Sequence, residues 1–419
     1  MICVLKKGDL FRAIGKFSFA QAVTQCLTFC SGIIIIRFLA QEQYALYTIG
    51  NTFIGALGVL ANSGIISGAL SQGGKIWRDK DKLGQVVVTS MNLRRHFALI
   101  STALLLPLLI WLLLKHQSTL IEATLLSLAV LFAFFLTFSN SIYEIAPKFH
   151  QRAGAIGKIR AISALARLLL LFPVLSVYSF ALTALLAGAV PQYFANKNLK
   201  KLSTRYVDWN QKESAAVRKE TLSIVKKVLP GSIYYCMSGQ LAILLISIFG
   251  TTSAIAEVGA VGRLAQALAF FSALANVVLI PRFAKIQNGV RIAQAFAGIL
   301  LLAGLFGIAV FLAAFFFEKQ ALWILGSSYS GLTYEFLLAV AGGIFSLLGA
   351  LAYHLGYSRG WIASQWVFIA ISILIQICGA LFINLGTTEG VLTLNLLTTI
   401  TGFAFYFVYD IYRLATLTR

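Results

Sequence analysis

Long apolar runs separated by short polar connections dominate the chain. Each run covers roughly the twenty residues that a helix needs to cross about 30 Å of hydrocarbon. Only a helix satisfies every backbone N–H and C=O group within one segment at that depth. The pattern therefore predicts an all-α integral membrane protein of about twelve transmembrane helices, over 17–39, 47–70, 97–114, 122–143, 161–177, 179–196, 229–250, 257–281, 291–316, 334–357, 361–383 and 390–412.

Composition excludes a soluble protein and gives no sign of a cofactor. Of the 419 residues, 59% are hydrophobic and 11% are charged, and the mean hydropathy is +0.85, far from the usual balance of a soluble domain. The five cysteines form no disulfide pattern. Cys26 and Cys30 lie one helical turn apart, but no histidine or carboxylate lies near them in the sequence. We expect them to be packing residues, and we expect no metal and no cofactor.

The net charge of +20 is explained by topology. Nine basic residues lie in 197–228, and others cluster in 72–96 and 144–160, whereas the alternate connections hold only Lys115 and Lys319. This asymmetry follows the positive-inside rule and places both termini in the cytoplasm. The distribution removes the reason to expect a nucleic-acid partner, and the anionic surface of the lipid bilayer is the expected partner of these residues.

The basic stretch 197–228 also divides the chain. It separates an N-terminal set of six helices, 1–196, from a C-terminal set, 229–419. Two six-helix lobes joined by a cytoplasmic linker are typical of transporters. A short repeat supports this division, since Leu60-Ala61-Asn62 recurs as Leu274-Ala275-Asn276 in the corresponding helix of the second set.

Polar and small residues follow one face of several predicted helices. A stripe of amides in hydrocarbon would be costly, so these faces are expected to point into the bundle. They can line a watery cavity or serve close helix packing, and the sequence leaves both open. The stripes are Gln21, Gln25, Thr28 and Gly32 in the first helix, Asn51, Gly55, Gly58 and Asn62 in the second, and Gly342, Ser346, Gly349 and Tyr353 in the tenth.

Three arginines, Arg37, Arg167 and Arg263, fall within or at the edges of predicted spans, whereas every Asp and Glu lies near a span end or in a connection. Arg263 has Gln266 on nearly the same face, and we expect this pair to face a ligand. Arg37 lies at an outer helix end, where it either snorkels to the interface or binds the ligand. For Arg167 we expect contact with lipid headgroups.

Several motifs resemble those of one transporter family. Arg37-Phe38-Leu39-Ala40-Gln41-Glu42-Gln43-Tyr44-Ala45-Leu46-Tyr47, followed by Asn62-Ser63-Gly64, resembles the first helical junction of bacterial O-antigen-type polysaccharide flippases. These belong to the multidrug/oligosaccharidyl-lipid/polysaccharide exporter superfamily. Pro230, Phe249-Gly250, Arg263-Leu264, Pro281-Arg282-Phe283-Ala284-Lys285 and Leu325-Gly326-Ser327-Ser328-Tyr329 resemble its later motifs. Ala45 stands where that family usually has Gly, and the Pro usual before Glu42 is missing.

The resemblance implies two lobes around a central cavity lined by the first, second, seventh and eighth helices. It implies an undecaprenyl-diphosphate-linked oligosaccharide as substrate, flipped outward across the bacterial inner membrane. It also implies a polysaccharide polymerase and its chain-length machinery as partners. Arg263 and Arg37 would then bind the diphosphate, while the amides of Gln21, Gln25, Asn51, Asn62 and Gln266 would bind sugar hydroxyls.

Three alternatives compete with this interpretation. A cation-coupled multidrug exporter of the same superfamily needs buried carboxylates, which the sequence pattern does not place deep in any span. A peptidoglycan-precursor flippase would have two further helices. A membrane enzyme of polysaccharide metabolism needs acid, base or metal groups on a sizeable outer loop, and the predicted outer loops are short. We expect no enzyme activity.

The charge pattern makes a prediction about topology. Reporter fusions after residues 80, 155, 210 and 287 should report the cytoplasm, and fusions near 118 and 328 should report the exterior. One reproducible inversion among them would rule out the twelve-helix topology.

Overall fold

The structure, a computed structural model, describes residues 7–361 and 363–417. These residues form helices and short connections, without a strand among them. The helices are α1 (Lys7–Phe38), α2 (Gln41–Asn62), α3 (Ile65–Ile76), α4 (Lys80–Lys115), α5 (Leu120–Phe138), α6 (Asn140–Tyr143), α7 (Ile145–Phe149), α8 (Ala153–Val177), α9 (Ala181–Ser203), α10 (Ala215–Gly239), α11 (Leu241–Phe249), α12 (Thr252–Ala265), α13 (Leu268–Val278), α14 (Ile280–Phe283), α15 (Gly289–Phe316), α16 (Glu318–Leu325), α17 (Thr333–Ser358), α18 (Gln365–Phe382) and α19 (Thr388–Leu417), with a 3-10 turn at Ser327–Tyr329.

The predicted all-α membrane fold is confirmed. Within the described residues, ten helical segments are long and apolar enough to cross a membrane, and α10 with α11 would make an eleventh. The predicted sixth span corresponds to α9, which falls outside that set because Gln192, Asn196 and Lys197 interrupt its apolar sequence. Since α9 packs on α5 and α8 like its neighbours, about twelve helices remain compatible with the structure.

Two predicted spans are broken by local backbone chemistry. The predicted span 47–70 ends as α2 at Asn62, because Ser63 and Gly64 adopt left-handed conformations with φ of 38° and 86°. Such backbone suits glycine and stops a helix. The Asn62 side chain accepts a hydrogen bond of 3.2 Å from the Ile66 N–H at the start of α3. The predicted span 257–281 is likewise divided, into α12, α13 and the start of α14.

The helices group into two compact units, 1–240 and 241–419. In the first, α1 packs along α8, α8 along α9, α9 along α5, and α2 against α4 and α5. From the sequence we predicted that the second lobe begins earlier, at residue 229. The predicted division of the chain at the linker 197–228 remains a prediction.

Both units tie their helices together with polar side chains. In the first, Gln43 on α2 donates to Glu122 on α5 at 2.9 Å and accepts from the Ala181 N–H at the start of α9, also at 2.9 Å. In the second, Thr388 at the start of α19 donates to Glu257 on α12 at 2.6 Å. A polar side chain therefore ties down the start of α9 in the first unit and the start of α19 in the second.

The end of the first unit that the charge pattern assigns to the cytoplasm is closed by one buried carboxylate and an apolar cluster. Glu144, 1% exposed, accepts two hydrogen bonds from Arg160, at 2.6 and 2.9 Å, and pairs with Lys148 at 2.9 Å. These contacts join the α6–α7 corner to α8. Leu83, Val87, Ile142 and other apolar side chains pack beneath them, so this end has its own hydrophobic core.

Within the first unit, α10 packs closely on α3 at Gly68. A Cβ built on Gly68 would lie 3.6 Å from the Thr221 Cβ. Gln72, one turn further on, donates a hydrogen bond of 2.8 Å to the Thr221 hydroxyl. Val225 on α10 is buried against Ile65 and Leu93. Glycine at position 68 is what permits this approach, because a larger side chain would separate the two helices.

In the second unit, α19 lies against a glycine face of α17. Gly342, Gly349 and Gly356 recur every seven residues along α17. A Cβ built on Gly349 would lie 3.3 Å from the Phe403 backbone nitrogen, and one on Gly356 would overlap the Asp410 carboxylate. For the tenth-span stripe, the structure supports the packing alternative at Gly342 and Gly349.

The α3–α10 contact predicts a specific cross-link. In a protein whose native cysteines are replaced by serine, Gly68→Cys with Thr221→Cys should form a disulfide under mild oxidation, because disulfides have Cβ–Cβ distances of about 3.5–4.5 Å. Gel mobility after proteolysis between the two sites measures it. The matched control is Gly68→Cys with Ser223→Cys, since Ser223 is exposed two residues away on α10. Equal cross-linking in both proteins would contradict the described packing.

Candidate functional site

Arg167 points into the first unit between three helices. Its Nη2 donates a hydrogen bond of 3.3 Å to the hydroxyl of Tyr47 on α2, which is 2% exposed. The guanidinium also lies against the α9 backbone at Gly188, where a built Cβ would be 3.4–3.5 Å from Nε, Cζ and Nη2. The expectation that Arg167 contacts lipid headgroups is therefore wrong. The side chain turns inward because glycine leaves it a flat surface and Tyr47 offers an acceptor.

All three residues of this contact lie at least two turns inside their helices, counted from the helix ends on one side of the unit. Arg167 lies ten residues before the end of α8 at Val177, or about 15 Å along the axis. Tyr47 and Gly188 lie about 9 and 10 Å from the starts of α2 and α9. These three ends belong to the side that the charge pattern predicts to be the exterior. The guanidinium is therefore within the span rather than at an interface.

The charge of Arg167 is poorly compensated. Its Nε is buried without a hydrogen-bond partner in the structure, and Arg167 takes part in none of the ion pairs that the described residues form. Arg160, two turns earlier on the same helix, is by contrast paired with Glu144. A guanidinium at membrane depth is costly unless it is paired or hydrated. Arg167 thus has donor capacity to offer to an anion.

Other polar groups continue from Tyr47 along one face of α2. Asn51, one turn further, lies on the same face by helical spacing and is half-buried. The Gln240 amide reaches Gly55 one turn beyond, with Nε2 3.2 Å from a Cβ built there. We call Arg167, Tyr47, Asn51 and Gln240 the α2 polar face. It combines a cation, a phenol and two amides, which can bind an anion and hydroxyl groups.

The predicted stripe of α1 lies at another depth. Gln21 and Gln25 are half-buried, and Thr28 donates to the Thr24 carbonyl at 2.7 Å. The Phe38 ring contacts Phe172 at 5.6 Å between ring centres. Counting back from this contact places Gln25 about 12 Å further toward the predicted cytoplasmic side than Arg167. The structure therefore does not bring these glutamines to the α2 polar face at the level of Arg167.

The remaining predicted site residues lie at helix ends. Arg37 is exposed in the last turn of α1, and Asn62 caps α3 as described. In the second unit, Arg263 lies in the last turn of α12, where a cation is stabilised by the helix dipole. Its Nη1 donates to Gln266 Oε1 at 3.2 Å, so the predicted Arg263–Gln266 pair is in contact. Their roles in substrate binding remain predictions.

The sequence pattern missed the burial of Glu144, described above, and of two further charged residues. Arg94 falls in a stretch that was expected to be a connection, but it is 5% exposed within α4 and donates to the Ser141 hydroxyl near the end of α5. Asp410 lies seven residues before the end of α19, 2% exposed, and its Oδ2 has no hydrogen-bond partner in the structure. Position near a span end suggests exposure for both, and only packing shows their burial.

Comparisons with known proteins agree with this architecture. No protein-family model and no curated protein matches the sequence. An inward-facing structure of a multidrug resistance MATE family transporter of the MOP superfamily matches with a TM-score of 0.71 and 14% identity, over 96% of this chain and 99% of that chain. An outward-facing structure of a transporter of the same description matches with a TM-score of 0.65 and 15% identity, over 97% and 96%.

A third match is a MOP superfamily transporter from Pyrococcus furiosus, for which a binding pocket of reverse polarity is said to suggest a different function. Its TM-score is 0.67 and its identity 15%, over 97% of this chain and 96% of that chain. The chain therefore has the fold of MOP superfamily transporters. Identities this low show the fold alone, so the substrate must be argued from the side chains.

The different surroundings of Arg167 and Arg160 predict opposite effects on stability. Arg167→Met should leave the free energy of unfolding unchanged or raise it, because it removes a half-buried cation that has one long hydrogen bond. Arg160→Met should lower it by roughly 1–3 kcal/mol, because the buried Glu144 loses two charge-assisted hydrogen bonds. Thermal unfolding of the purified proteins in one detergent measures both. A larger loss for Arg167→Met than for Arg160→Met would assign Arg167 to the fold.

Proposed function

We propose that this protein is a flippase that moves an undecaprenyl-diphosphate-linked oligosaccharide across the bacterial inner membrane for surface polysaccharide synthesis. The observation that carries the proposal is the weakly compensated cation Arg167 on the α2 polar face. The motif resemblance supports the same class of substrate, and the fold shared with MOP superfamily transporters supports a transporter. The proposal includes a topology in which the protein crosses the membrane several times and both termini lie in the cytoplasm. It also includes a polysaccharide polymerase as a downstream partner.

The chemistry of the α2 polar face suits such a substrate. A diphosphate offers several anionic oxygens, and guanidinium recognises phosphate through directed donors rather than as a point charge. Asn51 and Gln240 can exchange hydrogen bonds with sugar hydroxyls. Arg37, Arg263, Gln21, Gln25 and Gln266 are proposed to make further contacts along the path.

The proposed mechanism is alternating access. We take the packing of α10 on α3 as one end state, in which the predicted cytoplasmic side of the first unit is closed. The inward- and outward-facing structures of the matched transporters support a cycle of this kind in the same fold. In the proposal, the Gly68→Cys/Thr221→Cys disulfide arrests transport, and reduction restores it.

A second candidate is a cation-coupled multidrug exporter. Two of the matched structures are of a multidrug resistance transporter, and this favours the exporter over the flippase on comparison alone. Asp410 favours it too, because such pumps use buried carboxylates to bind protons or cations. The positive charge of Arg167 on the α2 polar face argues against the exporter, because it would repel a cationic drug.

Reconstituted protein separates the two candidates. With a fluorescent polyprenyl-diphosphate saccharide in proteoliposomes, Arg167→Gln should slow flipping roughly tenfold or more, since a charge-assisted hydrogen bond contributes about 1.5–3 kcal/mol. Arg167→Lys should retain part of the rate because the charge is kept but the directed donors are lost. Arg95→Gln is the matched control, because Arg95 is an exposed arginine of α4.

Transport measurements in the same proteoliposomes can also contradict the flippase proposal. Proton-driven uptake of a cationic dye that is abolished by Asp410→Asn and unaffected by Arg167→Gln would establish the exporter and reject the flippase. Flipping that Arg167→Gln leaves unchanged would remove Arg167 from substrate binding.

A further inference from the structure

A groove runs between α8 and α9, about one turn to the predicted cytoplasmic side of the contact between Arg167 and Gly188. Its volume is about 170 Å³, and its lining residues recur three to four apart along each helix. They include Ile162, Ser163 and Ala166 on α8 and Pro191, Phe194 and Ala195 on α9. This spacing places the lining on one face of each helix, so the groove follows the helix axes.

The groove opens toward lipid. Its rim residues Ile162 and Phe194 are 57% and 59% exposed, and both lie near the predicted cytoplasmic ends of the spans 161–177 and 179–196. Arg167, one turn beyond Ser163 on α8, points to Tyr47 inside the unit. An apolar rim at this level borders the acyl chains of the predicted cytoplasmic leaflet, and a lipid chain therefore has direct access to the groove.

One polar group inside the groove has no partner. Ser163 is 5% exposed, and its hydroxyl forms no hydrogen bond in the structure. A buried hydroxyl without a hydrogen-bond partner is unfavourable, because it has lost its bonds to water without replacement. A ligand that brings an ester or phosphate oxygen to this level would satisfy it, whereas an acyl chain alone would not.

Three lysines stand at the predicted cytoplasmic end of the groove. Lys158 lies one turn before Ile162 on α8, and Lys197 and Lys201 lie one and two turns after Phe194 on α9. By helical spacing all three are on the rim side, and all three are exposed. None forms an ion pair with a described residue, and the sequence from Gln151 to Val207 contains no Asp or Glu.

We propose that the α8–α9 groove binds an anionic phospholipid of the cytoplasmic leaflet. One acyl chain occupies the groove, an ester oxygen accepts from Ser163, and the phosphate lies among Lys158, Lys197 and Lys201. Ser163 and Lys158 are five residues apart, or about 7.5 Å along α8, which a lysine side chain can bridge to a phosphate next to the ester. Basic pockets between membrane helices on the cytoplasmic side are suited to anionic headgroups.

The test is site-resolved photocross-linking in nanodiscs of phosphatidylcholine. A phosphatidylglycerol probe and a phosphatidylcholine probe carry the same diazirine-bearing acyl chain, and mass spectrometry of peptides locates the label. We expect the phosphatidylglycerol probe to label α8 and α9 groove peptides at least about fivefold more, since one basic residue near an anionic lipid contributes on the order of fivefold in binding. Unlabelled phosphatidylglycerol should compete, and inorganic phosphate should not.

Variants separate the headgroup from the chain. Replacing Lys158, Lys197 and Lys201 with Gln should reduce phosphatidylglycerol labelling to the phosphatidylcholine level, whereas the same change at the exposed cytoplasmic residues Lys212, Lys219 and Lys227 should not. Ala166→Trp, at an exposed lining position, should fill the groove and reduce labelling by both probes. Leu165→Trp, one residue outside the lining, is its control.

Several outcomes would overturn the proposal. Equal labelling by the two probes in the unsubstituted protein would show that the groove contacts lipid without preference for an anionic headgroup. Unchanged labelling after the three lysine replacements would remove the headgroup site. Competition by inorganic phosphate would show a site for a free anion. Competition by a polyprenyl diphosphate but not by phosphatidylglycerol would assign the groove to the transported substrate.

Discussion

A polar group at membrane depth must find its partner within the helical bundle, because the surrounding hydrocarbon offers none. Most described side chains of this protein obey that constraint locally. Thr24, Thr28 and Ser31 on α1 donate to carbonyls four residues earlier, and Gln43 joins three helices at one end of the first unit. Arg167 satisfies the constraint only in part, because its Nε has no hydrogen-bond partner in the structure and its charge has no counter-ion among the described residues. The proposed function rests on this incomplete compensation.

Glycine sets how closely the helices approach, and this matters for the proposed cycle. Gly188 gives the Arg167 guanidinium a flat helix surface, and Gly68 lets α10 reach α3. Both contacts lie in the first unit, and the proposed cycle takes the α3–α10 contact as one end state. The α17–α19 contact in the second unit uses the same device with three glycines in a seven-residue repeat. A close-packed pair of this kind suits a unit that moves as one piece.

The fold was largely predictable from the sequence, because span length and charge asymmetry are strong physical signals. The helix breaks were not, since the left-handed backbone at Ser63 and Gly64 interrupts a sequence that remains apolar on both sides. The site was predictable only in part. Asn51 was identified by its helical spacing, but the direction of Arg167 depends on Gly188, which lies on another helix. Gln240 approaches α2 through tertiary packing, for which the local sequence carries no signal.

Ligand-induced stabilisation tests the central claim most directly, because a ligand that binds the native state raises its thermal unfolding midpoint. The comparison uses a short-chain polyprenyl diphosphate and the matching polyprenyl alcohol, with the unsubstituted protein and Arg167→Met. We predict that the diphosphate raises the midpoint of the unsubstituted protein, that this shift is lost in Arg167→Met, and that the alcohol shifts neither protein. The same diphosphate-dependent shift in both proteins would contradict the assignment of Arg167 as the anion-binding group.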